Sequence, residues 1–130
     1  MKLHHIGIAV RDLDRALEQW KLLGLVEHDR RVVADFNVEV GMVDVGEVEL
    51  EYIQPLGDGP IQTFLANDGE GMHHVALEVP DIEASLHEMK DQGVRLVDET
   101  PRPGFRGNRV AFLHPKSFNG VLVELVEEAP

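Results

Sequence analysis

The stretch Gly71–Val79, which reads GMHHVALEV, has a near copy at Lys2–Val10, which reads KLHHIGIAV. The copies lie 69 positions apart, and the match continues into the segments that follow, where Asp12 falls on Asp81. A tandem repeat of this length predicts one structural unit used twice. It also places a strand with two adjacent histidines at equivalent points of both repeats.

Each repeat is predicted to begin with a strand and a helix. Residues 3–10 and 72–79 are apolar and partly β-branched, which favours strands. Apolar residues then recur at helical spacing. Each helical segment follows an aspartate suited to an N-cap and ends at a glycine suited to a C-terminal stop, and these are Asp12 with Gly24 and Asp81 with Gly93.

Three further strands are expected in each repeat. In the first repeat they are residues 25–34, 38–45 and 48–54, and in the second they lie near 94–98, 108–113 and 121–127. We therefore expect a single α+β domain over residues 1–130 that contains two tandem βαβββ modules. The first module covers about residues 1–56, a connector with a short helix near 61–65 covers about 57–70, and the second module covers about 71–130.

The last strands of the two repeats align with an offset of 73 rather than 69, so that Val48 falls on Val121 and Glu51 on Glu124. The second repeat therefore carries four additional residues. We expect them in the loop at residues 99–108, which is rich in proline, glycine and arginine.

Length and composition narrow the possible functions. The chain has 130 residues with 43% hydrophobic content, which suffices for a real core, and it has no cysteine, which excludes disulfides and thiolate chemistry. A net charge of −12 disfavours nucleic acid and anionic membranes as partners. No apolar run reaches membrane-spanning length and no signal-peptide pattern is present, so we expect a cytoplasmic protein.

Charge is unevenly distributed near the C-terminus. No aspartate or glutamate occurs between Glu99 and Glu124, and the cations in that interval are Arg102, Arg106, Arg109 and Lys116. Four cations in an acid-free segment of an acidic protein indicate either a local anion site or a solvated basic loop, and composition does not decide between them.

The repeat selects two histidine–carboxylate pairs, His5 with Glu51 and His74 with Glu124. If the two repeats close face to face, two imidazoles and two carboxylates can converge on one divalent first-row metal ion. A packing role for the histidines and a solvated edge at Glu51 are the alternatives. Glu124 lies in an apolar strand, where a carboxylate is costly unless it is paired or metal-bound.

Strand periodicity does not choose within each histidine pair. Adjacent strand residues point to opposite faces, so one member of each pair faces any given site. Local sequence leaves His4 against His5, and His73 against His74, undecided.

The opening HIGIAV followed by Asp12 resembles the vicinal oxygen chelate superfamily, which includes glyoxalase I. Within it, the chain is similar to the methylmalonyl-CoA epimerase family over nearly its whole length. The resemblance lies in the stretches that read PI, FL and GEGMHHVA between Pro60 and Ala76, DETPRPG at Asp98–Gly104, FLHPKS at Phe112–Ser117 and GVLVEL at Gly120–Leu125.

The resemblance implies a cupped mixed sheet around a metal site whose ligands are His5, Glu51, His74 and Glu124. It implies one divalent ion, with cobalt expected first and manganese, zinc, nickel or magnesium as alternatives. It implies an acyl-CoA substrate, whose phosphates and carboxylate the four cations are placed to meet, and a homodimer.

The implied reaction interconverts the C2 epimers of methylmalonyl-CoA by proton abstraction through a metal-stabilised enolate, with Glu124 as one acid/base group. Some family members carry a second glutamate at the position of Val40. Here we expect Glu51 to serve, with water, or Glu39 turned by a bulge, as alternatives. The alternative functions are a glyoxalase-type lyase or isomerase, an epimerase of another small acid or thioester, and a non-catalytic binding protein of the same fold.

Overall fold

The computed structural model describes residues 1–130, and its strands and helices occur in a repeated order. The elements are β1 Lys2–Ala9, α1 Leu13–Trp20, β2 Glu27–Val33, β3 Val38–Val45, β4 Val48–Pro55, α2 Pro60–Asp68, β5 Gly71–Glu78, α3 Ile82–Asp91, β6 Arg102–Pro103, β7 Arg109–Leu113 and β8 Val123–Glu127. The order strand, helix and three strands thus occurs twice, and the predicted α+β fold with two βαβββ modules is confirmed. None of the helices is long and apolar enough to cross a membrane.

The chain divides into two compact units, which we call the first unit (residues 5–73) and the second unit (residues 1–4 and 74–130). Strands of the first unit lie in the order β2-β3-β4-β1, and those of the second in the order β5-β8-β7-β6. We call these two sets of strands the first sheet and the second sheet. In both, the first strand of the module pairs in parallel with the last, and the remaining pairs are antiparallel. This parallel pairing brings the histidine-bearing strand beside the glutamate-bearing strand of the same module.

The predicted helix ends are confirmed. The side chain of Asp12 accepts a hydrogen bond from the Arg15 amide at 3.1 Å, and that of Asp81 accepts one from the Ala84 amide at 3.1 Å. Each cap satisfies an amide that has no partner inside the helix and stabilises it by about 1 kcal/mol. Gly24 follows the 3₁₀ turn after α1 with φ 82°, a left-handed conformation that favours glycine.

One helix covers one face of each sheet with an apolar core. In the first unit the buried cluster is Val10, Leu13, Ala16, Leu17, Val43 and Tyr52. In the second unit it is Val79, Ile82, Leu86, Ala111, Leu113, Val123 and Leu125. A fully buried leucine or isoleucine such as Leu13 or Ile82 contributes about 2 kcal/mol through removal of apolar surface from water. These clusters define which strand positions point toward the helix in each unit.

The strand expected near residues 94–98 is wrong, because only Leu96 makes a bridge, to Leu113. The amides of Val97 and Asp98 both donate to the Phe112 carbonyl, at 2.9 and 3.2 Å. The Phe112 amide in turn donates to the Asp98 carboxylate at 2.9 Å. A side chain therefore occupies the place that a strand carbonyl would fill, and the edge strand of the second unit is β6, inside the segment that we expected to be a loop.

The additional residues of the second repeat lie mostly after β7, so their expected place at residues 99–108 is wrong. Met42 pairs with Glu51, and Phe112 pairs with Glu124. The offset is thus 70 between β3 and β7 (112 minus 42) and 73 between β4 and β8 (124 minus 51). Three of the four residues are therefore inserted where a short turn at Gly46 in the first unit is replaced by the segment 114–122 in the second.

Candidate metal and acid–base site

His5 and Glu51 form a buried pair on the face of the first sheet that is opposite α1. In the parallel β1–β4 register, Gly7 lies beside Glu51 and Ile8 lies beside Tyr52. Tyr52 belongs to the core under α1, so its neighbour Glu51 points to the other face, and His5 does the same by strand alternation. The distance from His5 Nε2 to Glu51 Oε2 is 3.4 Å.

His74 and Glu124 form the corresponding pair in the second unit. Ala76 lies beside Glu124 in the parallel β5–β8 register. Leu125, next along the strand, belongs to the core under α3, so Glu124 and His74 occupy the opposite face. The distance from His74 Nε2 to Glu124 Oε1 is 3.3 Å. The same geometry thus recurs in both units.

The structure separates the two members of each histidine pair. His4, of opposite strand parity to His5, places its Nε2 atom 2.9 Å from Glu128 Oε1. The ring of His73 meets the ring of Phe64 edge-on, with the centroids 4.9 Å apart. His5 and His74 are therefore the members that lie beside Glu51 and Glu124.

The donor atoms fit a divalent metal ion. His5, Glu51, His74 and Glu124 are 3, 8, 4 and 6% exposed, so each carboxylate has lost most of its water. Ligand atoms about 2.0–2.2 Å from a first-row ion stand roughly 3–3.5 Å apart, and both pairs have this spacing. Imidazole nitrogen and carboxylate oxygen also suit such ions. Histidine and glutamate side chains of this structure could therefore hold a divalent ion.

Glu39 lies on the wrong face to act with Glu51. The β3–β4 register runs without interruption from Val38 to Val45, and it places Glu39 opposite Gln54. Gln54 has the same parity as Tyr52, so Glu39 points toward the α1 side of the sheet. The alternative that a bulge turns Glu39 toward Glu51 is therefore wrong. The register shift in this unit lies in β2, between Glu27 and Asp29.

Two of the four predicted cations lie on opposite faces of the second sheet. Arg102 pairs with Val110, which has the parity of Phe112, and so it lies on the face of Glu124. Arg109 lies on the α3 side, where it forms ion pairs with Glu83 and Glu127. Its hydrogen bond to Glu83, reinforced by Glu127, raises the pKa of Arg109. Arg109 is thus held in ion pairs on the face of the sheet opposite to Glu124.

Arg106 and Lys116 lie in short 3₁₀ turns on either side of β7. Arg106 has φ 60°, and its guanidinium carbon lies 5.0 Å from the centroid of the Phe105 ring. The Lys116 amide donates to Nδ1 of His114 at 3.1 Å, and its side chain is exposed. Burial, Arg95 and Lys116 lower the pKa of His114, which is consistent with a neutral imidazole that accepts this hydrogen bond.

Two residues of the site faces were not recognised from the sequence. Arg31 pairs with Val40 and Arg102 pairs with Val110, so Arg31 is the structural counterpart of Arg102. Their separation of 71 matches neither repeat offset, and only strand register reveals the relation. The second residue is Phe112, which pairs with Glu124; the sequence places it in a strand and in the stretch FLHPKS but does not relate it to Glu124.

Comparison with known proteins places these features in context. Residues 4–112 match the family described as Glyoxalase/Bleomycin resistance protein/Dioxygenase superfamily. The ethylmalonyl-CoA/methylmalonyl-CoA epimerase of Cereibacter sphaeroides is 40% identical over 128 residues, which cover 95% of this chain and 96% of that protein. The mitochondrial methylmalonyl-CoA epimerase of Homo sapiens is 39% identical over 127 residues, which cover 95% of this chain and 72% of that protein.

A solved structure of a methylmalonyl-CoA epimerase in complex with methylmalonyl-CoA and ammonium is also similar. It superposes with a TM-score of 0.94 at 35% identity, and the match covers 98% of this chain and 94% of that chain. The likeness therefore extends over the sequence and the fold.

Proposed function

The chain belongs to the methylmalonyl-CoA epimerase family of the glyoxalase/bleomycin resistance protein/dioxygenase superfamily, and from that premise we propose that it interconverts the two C2 epimers of methylmalonyl-CoA. The observation that carries this proposal is the likeness to named epimerases over 95% of the chain. The chemistry of the buried histidine and glutamate pairs agrees with it.

We propose His5, Glu51, His74 and Glu124 as the ligands of one divalent ion. Their burial and their 3.3–3.4 Å donor spacing support this assignment. A bound divalent ion supplies positive charge that stabilises the enolate formed when the C2 proton leaves. Cobalt is the ion that we propose first.

Glu124 is proposed to act as one acid/base group. The C2 hydrogen lies between a thioester and a carboxylate, so its removal leaves an electron pair that is delocalised as an enolate. A carboxylate oxygen of Glu124 takes the proton, and return of a proton to the opposite face of C2 inverts the centre. Burial of Glu124 in an apolar strand supports this role, because it keeps bulk water away from the carboxylate that takes the proton.

Glu51 is proposed as the second acid/base group. It is buried beside His5 in the same geometry that Glu124 has beside His74. With Glu39 on the α1 side of the sheet, Glu51 is the candidate glutamate in the first unit, and water is the alternative proton donor.

Arg102 is proposed to contact the substrate carboxylate or a coenzyme A phosphate, because it lies on the face of the sheet that carries Glu124. Arginine suits both groups through paired hydrogen bonds. Arg106 and Lys116 are proposed contacts for the coenzyme A phosphates. Arg109 is not included, since two glutamates on the α3 side hold it. A homodimer, as expected from the family, is part of the proposal.

Proton NMR of the protein with methylmalonyl-CoA in D2O tests the function. We expect the C2 proton signal to disappear faster than in a protein-free control, EDTA to abolish the acceleration, and added cobalt to restore it. An exchange rate equal to that of the control, in protein shown to hold metal, would reject the substrate. In that case hemithioacetals of the glyoxalase type are the next substrates to assay.

A further inference from the structure

Phe112 contacts His74 and lies opposite Glu124 in the strand register. Its ring meets the His74 imidazole edge-on, with the centroids 5.5 Å apart and the planes at 88°. Its strand position is directly opposite Glu124. One aromatic side chain therefore borders the imidazole and the carboxylate that the proposed function uses.

The backbone of Phe112 brings it especially close to Glu124. Its carbonyl accepts from the Val97 and Asp98 amides, and its amide donates to the Asp98 carboxylate. In a strand the amide and carbonyl of one residue point the same way, so both point away from β8. Phe112 and Glu124 are thus a non-hydrogen-bonded pair, the kind in which Cα atoms lie about 4.5 Å apart and side chains are closest.

Asp98 connects Phe112 to Arg102. Its Oδ2 atom accepts the Phe112 amide at 2.9 Å, and its Oδ1 atom lies 3.6 Å from Nη1 of Arg102. The Asp98 side chain is 11% exposed, so its charge is held between these two partners. A single carboxylate thereby fixes the strand position of Phe112 and the guanidinium on the same face of the sheet.

We propose that Phe112 is a positioning residue for the His74–Glu124 pair and that Asp98 ties its placement to that of Arg102. The proposal rests on the proposed epimerase function. The ring limits rotation of the imidazole and keeps water from one side of the carboxylate, so both groups are held in the arrangement that proton transfer requires. Loss of that restraint lowers turnover without loss of any reacting atom, because small displacements of catalytic groups are costly.

Comparison of D98N with D98A distinguishes the hydrogen bond from the Phe112 amide to Asp98 from the ion pair between Asp98 and Arg102. An asparagine oxygen still accepts the Phe112 amide, but the side chain has no charge for Arg102. We expect D98N to raise KM about fivefold with kcat within about twofold of wild type, and D98A to lower kcat about tenfold as well. Equal effects of D98N and D98A on kcat would overturn the link through Phe112.

The ring itself is tested by F112M, which introduces the residue that stands at the equivalent position, Met42, in the first unit. We expect kcat to fall about tenfold with KM within about twofold, whereas the matched variant M42L changes each by less than about twofold. Full kcat in folded F112M would overturn the proposal. If F112M does not fold, the Asp98 pair decides the question.

A spectroscopic readout is independent of catalysis. In metal-free protein, the ring-proton resonances of His74 should shift in F112M, because the Phe112 ring lies edge-on to that imidazole, while those of His87, whose side chain is exposed on α3, should stay in place. Unmoved His74 resonances would contradict the positioning role. A wild-type protein that fails to exchange the C2 proton while this shift is observed would reject the epimerase function and leave the structural link standing.

Discussion

The two histidine–glutamate pairs have nearly the same donor spacing, 3.4 Å in the first unit and 3.3 Å in the second, but different surroundings. Glu51 lies opposite Met42 and two residues from Glu49 on the same face of its sheet. Glu124 lies opposite Phe112, and its neighbours along β8 are apolar. The repeat therefore retains the donor atoms and varies what packs against them. The comparison indicates that the two glutamates offer the same donor atoms but are packed against different neighbours.

The largest expected difference comes from glutamine substitution of each glutamate. Glutamine keeps an oxygen for the metal but cannot take a proton. We expect E124Q to lower kcat by about 1000-fold and E51Q by about 10- to 100-fold, because the polar Glu49 shares the face of Glu51 whereas the neighbours of Glu124 are apolar, so water can replace Glu51 more easily. C2 exchange measured from each epimer, with metal content determined in both variants, checks this. Equal losses would make the two pairs functionally equivalent.

A smaller effect is expected from the arginines of the second sheet. R102M should raise KM for methylmalonyl-CoA about tenfold, since a charge-assisted hydrogen bond to the substrate is lost. R109M is the matched control on the opposite face, where Arg109 binds Glu83 and Glu127, and it should leave KM unchanged. A larger KM effect for R109M than for R102M would reverse the assignment of faces.

The buried cluster under α1 contains a hydroxyl group, that of Tyr52, whereas the cluster under α3 is entirely apolar. Tyr52 is fully buried, its hydroxyl has no hydrogen-bond partner, and burial raises its pKa. The equivalent residue in the second unit is Leu125, at the offset of 73. Y52F should increase the free energy of unfolding by about 1 kcal/mol, because an unpaired hydroxyl no longer has to be desolvated. Urea unfolding measures this, and Y52L, which leaves a cavity beside Trp20, should instead destabilise the protein. Lower stability of Y52F would indicate a partner for the hydroxyl.

The smallest expected effect concerns the connection that is longer in the second unit. His114 accepts the Lys116 amide as a neutral imidazole, and its pKa is lowered by burial, Arg95 and Lys116. The folded protein thus binds this proton less readily than the unfolded chain, whose histidine pKa is about 6.5. The stabilisation is complete above that pH and is lost as pH falls from there through the folded-state pKa.

Urea midpoints of wild type and H114N between pH 7.5 and 5.5 test this pH dependence. Asparagine can accept the same amide and does not titrate, so the difference between the two proteins should shrink or reverse as the pH falls. An NMR titration that gives His114 a pKa above 6.5 would contradict it.

The sequence predicted the features whose defining residues occur in both repeats. The helix caps at Asp12 and Asp81 recur at an offset of 69, Glu51 and Glu124 recur at an offset of 73, and the structure has the caps and the module order in the predicted places. The choice of His5 over His4 and of His74 over His73 came from the family resemblance. The helix caps and the modules need only local patterns, whereas the histidine that lies beside each glutamate is seen only from the register of the first and last strands of a module.

Features that depend on strand register were not predictable. Arg102 and Arg109 are both arginines of the same acid-free segment. Arg102 pairs with Val110, the residue next to Arg109, so the two arginines point to opposite faces of the second sheet. The strand expected near 94–98 does not form, because the Asp98 carboxylate accepts the hydrogen bond from the Phe112 amide. Residue propensities for strands do not indicate such an interaction. The equivalence of Arg31 and Arg102 was not predicted, because inserted residues make their separation 71 rather than either repeat offset.

The parallel pairing of first and last strands also has a consequence for how the protein folds. His5 and Glu51 are 46 positions apart in sequence (51 minus 5), and His74 and Glu124 are 50 apart (124 minus 74). The helices and the β3–β4 hairpin are local structures that can form early, whereas each donor pair requires closure of nearly a whole module. The donors of each pair are therefore assembled late in folding, so the proposed divalent ion would bind completed modules and stabilise the finished protein over its folding precursors.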